Sequence, residues 1–264
     1  MSVIEGIRVD EVSMAYRSSK ILDAVSLTIR KGSVVTLLGP NGCGKTTLLK
    51  IINNLLKPDR GKVLVEGRDV VSMPAHRLAR IMGYVPQGHR ISFPFKVRDV
   101  VITGRMPYIP AFSSPKREDL ERTEQVMALT GISGLADRPY TQISGGERQL
   151  VMIARAMAQQ PSVLLLDEPT SYLDFKNQIE TLKMIKEISR SRDVTVVMTL
   201  HDPNHALMFS DEVVILRKLN GGREGNVIAS GPSHKAMTPQ NIQAAYGVDV
   251  EIVDVKGRKL LIPI

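Results

Sequence analysis

The 264-residue sequence has no tryptophan, a single cysteine and only 4% aromatic residues, and each scarcity closes off a class of protein. Cys43 has no second cysteine to pair with, so an internal disulfide framework is excluded and a reducing compartment fits. No apolar run approaches the roughly 18–20 residues that cross a bilayer; the longest, such as 33–38 and Val163–Leu166, have the length of strands. The opening MSVIEGIRVDEV carries acidic residues where a secretory signal has a basic flank, which reads as cytoplasmic. The net charge of +8, from 35 Lys+Arg against 27 Asp+Glu, is not gathered into Lys/Arg clusters interleaved with aromatics, so no nucleic-acid partner is expected. Charge of this sign also suits an anionic membrane surface or the handling of phosphates. With 43% apolar and 23% charged residues the chain has the make-up of a globular protein, without internal repeat, low-complexity tract or long linker.

What is present is an alternation. Short apolar runs at Val34–Leu38, Met82–Val85, Val163–Leu166, 194–199 and 213–216 are bounded by Gly, Pro or charge and alternate with helical patterns, which predicts a parallel sheet covered by helices. After the first run, Leu48, Leu49, Ile51, Ile52, Leu55 and Leu56 recur with helical spacing until Pro58. From about residue 87 to 160 the strand signals fade. A mostly polar helix is expected over 116–130, opened by Ser114-Pro115, and a second over 145–159. Thr238-Pro239 starts a short helix that stops at Gly247, and the runs 248–253 and 259–262 flank a Lys-Gly turn, predicting a small C-terminal hairpin.

Two constellations carry chemistry. Gly39-Pro40-Asn41-Gly42-Cys43-Gly44-Lys45-Thr46, with Thr47 behind it, fits the G-x-x-x-x-G-K-[ST] phosphate loop and stands where that loop must stand, after an apolar strand and before a helix. Glycines let the backbone wrap an anion with N–H groups and a helix N-terminus, Lys45 neutralises β/γ charge, and Thr46 suits Mg²⁺. The second constellation is Asp167-Glu168 at the end of Val163–Leu166, where ligand sites of α/β sheets lie. Asp167 can hold Mg²⁺ through water while Glu168 polarises the attacking water. A nucleotide's phosphates and Mg²⁺ are therefore the expected ligands, and the family resemblance below implies that the nucleotide is ATP.

Ile143-Ser144-Gly145-Gly146-Glu147-Arg148-Gln149 opens a helix with a capping box, and two glycines leave bare N–H groups at its positive end. The segment resembles the LSGGQ signature of ATP-binding-cassette (ABC) ATPases, departing at Ile143 and Glu147. Further positions match that family: Tyr16 the adenine-stacking aromatic, Gln87 the Q-loop glutamine, Ser171-Tyr172-Leu173-Asp174 the D-loop, and His201 the switch histidine. Tyr172 stands where many members have a small residue. The resemblance covers nearly the whole chain and implies an α/β fold: a P-loop NTPase (RecA-like) core, an antiparallel β subdomain and an inserted helical subdomain. Within one ABC ATPase domain over 1–264 it implies a core at 1–87 and 161–231, a helical subdomain at 88–160, and a C-terminal helix and hairpin at 232–264. It further implies catalytic roles for Glu168, His201 and Gln87, metal contacts from Thr46, Gln87 and Asp167, and a composite site. There Ser144, Gly145 and Gly146 of one copy, near its Asp174, complete the ATP site of a second copy.

Residues 93–108, FPFKVRDVVITGRMPY, are similar to the segment after the Q-loop in importers of siderophores, haem and cobalamin. Molybdate and tungstate importers share it, and a soluble ABC ATPase such as the iron–sulfur assembly ATPase is the rival class. The resemblance thus implies a peripheral subunit on the cytoplasmic face of the membrane, working as a homodimer with permease subunits and, indirectly, a periplasmic or surface substrate-binding protein. Phe93, Phe95, Met106 and Tyr108 are expected to form an exposed apolar group that docks a permease helix, with Arg105 beside them.

Overall fold

The computed structural model describes residues 5–17, 19–88, 93–171, 173–219 and 226–264. Its strands and helices fall into two units, Met1–Met73 with Ile188–Ile264, and Pro74–Glu187. The expected helical segment 88–160 lies inside the second.

The first unit begins with two long strands, β1 (Glu5–Tyr16) and β2 (Ser19–Arg30), paired antiparallel; β4 (Arg60–Val65) joins the other edge of β1 and β5 (Arg68–Asp69) follows, giving the order β2-β1-β4-β5. Ile7, Val9, Val12, Leu22, Val25, Leu27 and Ile29 are buried on one face. Their spacing slips from two to three between Val9 and Val12 and between Leu22 and Val25, where the register shifts and Glu11 and Ala24 take positive φ. These bulges keep the apolar side inward while breaking the period-2 signal in the sequence.

A second set of strands runs β10 (Val227–Pro232), β9 (Glu212–Leu216), β3 (Val34–Leu38), β8 (Thr195–Thr199). β3 is parallel to both β8 and β9, and every residue of these three is buried, as expected of parallel strands covered on both faces. α1 (Lys45–Ile52) leaves β3 through the glycine loop and ends four residues before the expected Leu56. Asn54 adopts φ 54° and the Leu55 N–H bonds back to the Lys50 carbonyl, a left-handed C-terminal cap that stops the helix although the apolar pattern continues. α7 (Pro203–Phe209), α8 (Ser233–Ala236) and α9 (Pro239–Tyr246) follow, with Thr238 capping α9 and Gly247 ending it at φ 70°. The C-terminal hairpin pairs β11 (Val250–Val255) with β12 (Arg258–Pro263) across the Lys256-Gly257 turn.

The second unit contains α2 (Ala75–Ile81), β6 (Met82–Val85), α3 (Val97–Ile102), α4 (Arg117–Leu129), α5 (Gly145–Ala158), β7 (Val163–Leu166) and most of α6 (Phe175–Arg192). β6 and β7 pair in parallel, Met82 to Val163 through Val85 to Leu166. α3, α4 and α5 pack on one another. Gly104 is required there: a Cβ on it would lie 2.1 Å from the Arg155 carbonyl oxygen. Among the described residues no helix is long and apolar enough to cross a membrane.

Candidate functional site

In the first unit the loop 39–44 connects the buried end of β3 to α1. Gly39, Gly42 and Gly44 take φ 147°, 80° and 102°, so the chain follows a path closed to most other residues, and the space beside Gly42 is open. Gly44 stands at the N-cap of α1, where no side chain caps the helix, and a Cβ on it would lie 2.6 Å from Leu22 Cδ2. Lys45 is buried, and its ammonium donates to the carbonyls of Gly39 (2.7 Å) and Pro40 (3.1 Å), which curls the lysine back over the loop. The loop therefore offers a backbone cradle, a helix N-terminus and a held cation, and these fit a phosphate group. Cys43 is buried in the same turn, and burial pushes its thiol above the ordinary pKa. Tyr16 ends β1 with nearly half its surface exposed, and His201 follows β8 on the surface.

The second unit positions its functional groups through side chains. Asp167, buried just past β7, anchors its own N–H on the Val85 carbonyl at 2.9 Å. Glu168 has φ 52°, a left-handed backbone uncommon for this residue, and its carboxylate accepts from Gln87 Nε2 (2.6 Å) and from Ser171 Oγ (2.7 Å). The structure thus brings together Gln87, Glu168 and the start of the D-loop. Tyr84 of β6 was missed: burial first, and the charge of Asp167 second, push its phenol up to about 12. Asp174 is exposed and accepts from the Asn177 amide (2.8 Å) and side chain (2.9 Å), capping the start of α6. Tyr172 lies outside the described residues.

At α5 the capping box is closed in both directions: Glu147 N–H donates to Ser144 Oγ (3.2 Å) and Ser144 N–H to Glu147 Oε2 (2.7 Å). Those bonds to Ser144 hold the Glu147 carboxyl below its usual range. Ser144 and Gly145 are nevertheless exposed, so the rest of this helix N-terminus faces outward.

The expected apolar group is partly corrected. Phe93, Phe95 and Met106 are 67%, 54% and 63% exposed, and Phe112 is fully exposed as well. Arg105 and Tyr108 do not belong with them. Arg105 is 3% exposed and donates to Asp119 (3.0 Å), the Ala158 carbonyl (2.9 Å) and Gln160 (3.0 Å). Tyr108 lies with its ring centroid 4.1 Å from the Arg105 guanidinium carbon and donates its hydroxyl to the Gln159 carbonyl. Both tie the 103–108 turn to the end of α5. A buried charge needs such partners, and Asp119, the Ala158 carbonyl and Gln160 supply them from 14 to 55 residues away. Burial works to raise the Asp119 carboxyl, but the Lys116 amide and Arg105 outweigh it and hold it low.

The sequence profile described as ABC transporter matches residues 22–171, more than half of the chain. An uncharacterised ABC transporter ATP-binding protein of Methanocaldococcus jannaschii is 41% identical over 97% of this chain and 97% of its own length. The ferric enterobactin transport ATP-binding protein of Escherichia coli is 32% identical over 98% of this chain and 94% of its own. Among solved structures, a metal-chelate type ABC transporter in an inward-facing conformation has 29% identity and superposes with a TM-score of 0.86, covering 99% of this chain and 98% of that one. This chain belongs to the ABC transporter family. It is an ATP-binding, ATP-hydrolysing subunit with the ABC cassette fold.

Proposed function

We propose that this ABC subunit works as a pair of identical chains at the cytoplasmic face of the membrane, driving uptake of a metal chelate through permease subunits. The whole-length likeness to the ferric enterobactin protein and to the metal-chelate transporter supports the substrate class. A substrate-binding protein outside the membrane would deliver the chelate.

In this reading Lys45 and the loop amides of 39–47 bind the β- and γ-phosphates of ATP, and Tyr16 stacks on its adenine. Thr46, Asp167 and Gln87 hold Mg²⁺, which supplies charge neutralisation on the phosphates. Glu168 orients the attacking water and accepts its proton, with Gln87 and Ser171 fixing the carboxylate beforehand. His201 contacts the γ-phosphate. Ser144, Gly145 and Gly146 of the second copy close over that phosphate, near Asp174.

The observation that carries the pairing is the N-terminus of α5. A 14-residue helix presents Ser144 and Gly145 to solvent with its positive end bare beyond the capping box, a surface suited to an anion brought by a partner. The exposed Phe93, Phe95 and Met106 suit a permease helix. The test is co-reconstitution with the permease encoded beside this chain, following ATP-driven uptake of a ferric siderophore against molybdate. Siderophore uptake supports the reading; molybdate uptake, or assembly with no permease, overturns it.

A further inference from the structure

The C-terminal segment reaches back to the phosphate loop. Tyr246, the last residue of α9, accepts the N–H of Gly39 on its hydroxyl at 2.9 Å, across 207 residues of sequence. Gly39 has little freedom otherwise: a Cβ there would lie 2.3 Å from the Leu216 carbonyl oxygen and 2.8 Å from Cys43 Sγ. The first residue of the loop is thus enclosed by the end of β9, by Cys43 and by Tyr246. Burial pushes the Tyr246 phenol up to about 12, and the charge of Asp202 adds to that, so the hydroxyl stays neutral at physiological pH.

The same segment is fastened at a second point. Asn204 exchanges two hydrogen bonds with the backbone of Leu261 in β12, donating from Nδ2 (3.1 Å) and accepting on Oδ1 (2.8 Å). Asn204 sits in the first turn of α7, whose N-cap is Asp202, the neighbour of His201. Both points lie in the first unit, and Asn204, Tyr246 and Leu261 all lie beyond the 22–171 match.

We propose that residues 239–263 brace the nucleotide site, with Tyr246 a positioning residue that fixes the Gly39 amide at the entry to the phosphate loop and the Asn204–Leu261 clip holding the brace in place. This rests on the reading of 39–47 as the ATP phosphate loop. The physical reason is that the loop wraps an anion only if its first peptide is held. A buried N–H that loses its acceptor becomes costly, and the loop then relaxes to recover a partner.

The test uses the full chain and Tyr246→Phe, which deletes one oxygen and keeps the ring. Hydrogen exchange of the Gly39 and 41–45 amides should quicken, and the KM for ATP should rise about five- to tenfold with kcat within about twofold. Asn204→Ala should raise KM in the same direction by loosening the segment that carries Tyr246. A packing role alone would lower the thermal midpoint of Tyr246→Ala and leave both exchange and KM of Tyr246→Phe at wild-type values. Unchanged exchange, or faster exchange with unchanged KM, overturns the proposal. Should the wild-type chain turn over no ATP, the phosphate-loop reading falls by itself, while the exchange comparison still decides whether Tyr246 holds Gly39.

Discussion

The two units hold their functional groups by opposite means. In the unit with the phosphate loop, backbone geometry sets the site: glycines at positive φ, and a lysine tethered to two carbonyls of its own loop. In the unit with the signature, side chains hold side chains, as Gln87 and Ser171 hold Glu168 and Asp119 holds Arg105. A backbone device fails when any Cβ is added in the wrong place. A side-chain device fails when one polar atom is exchanged, and then the fold can survive the loss of chemistry. The same contrast separates substitutions that damage binding and stability together from those that damage one alone.

The largest effect should come from the second unit. Glu168→Gln keeps the shape that Gln87 and Ser171 grip but removes the proton acceptor, so turnover should fall on the order of 10²–10⁴-fold with ATP affinity nearly kept, measured by phosphate release and by equilibrium binding. Turnover within a few-fold of wild type would break the comparison at its centre. Arg105→Met comes next. It strands the Asp119 carboxylate and should cost about 3–5 kcal/mol in denaturant unfolding, while adding Asp119→Leu should recover most of it. The sign of its pH dependence follows from the lowered Asp119 pKa. The pair contributes above the ordinary carboxylate range and fades as pH falls through the folded value, so the deficit of Arg105→Met should shrink in acid.

In the first unit, Gly39→Ala drives a Cβ to 2.3 Å from the Leu216 carbonyl and should cost about 2–4 kcal/mol together with ATP affinity, read by thermal unfolding and nucleotide titration. Loss of affinity with unchanged stability would blur the contrast. The smallest effect on the isolated chain should be that of Phe93→Ser with Met106→Ser, within about 0.5 kcal/mol in stability because both side chains already face solvent. The same double variant should fail to co-purify with its permease; normal assembly would place the docking surface elsewhere.

The elements legible in the sequence are those written in local spacing. The phosphate loop, Asp167-Glu168 and the Ser144 capping box each occupy fewer than ten consecutive residues, and the parallel strands are continuous apolar runs. β1 and β2 left no period to read because their bulges shift it at Val9/Val12 and again near Ala24. Arg105 and Tyr108 looked like surface residues among Pro and Gly, since their partners, Asp119 and the end of α5, lie 14 to 55 residues further along. Tyr246 was invisible for the same reason at a far greater separation. A polar residue that satisfies a distant buried group carries no mark in its own neighbourhood.

In the proposed pair, each ATP site takes its phosphate loop from one copy and its signature from the other. This sharing is tested most directly by mixing two defective chains in a Glu168→Gln background, so that bound ATP is retained: one chain with Ser144→Arg, the other with Lys45→Ala. If the sites are shared, the mixed dimer has one site with both lesions and one site intact, and it should occlude one ATP per dimer against a chase with unlabelled ATP, whereas neither variant alone occludes any, although Ser144→Arg still binds ATP through Lys45. A mixed dimer that occludes no ATP, as it must if each chain completes its own site, would contradict the account.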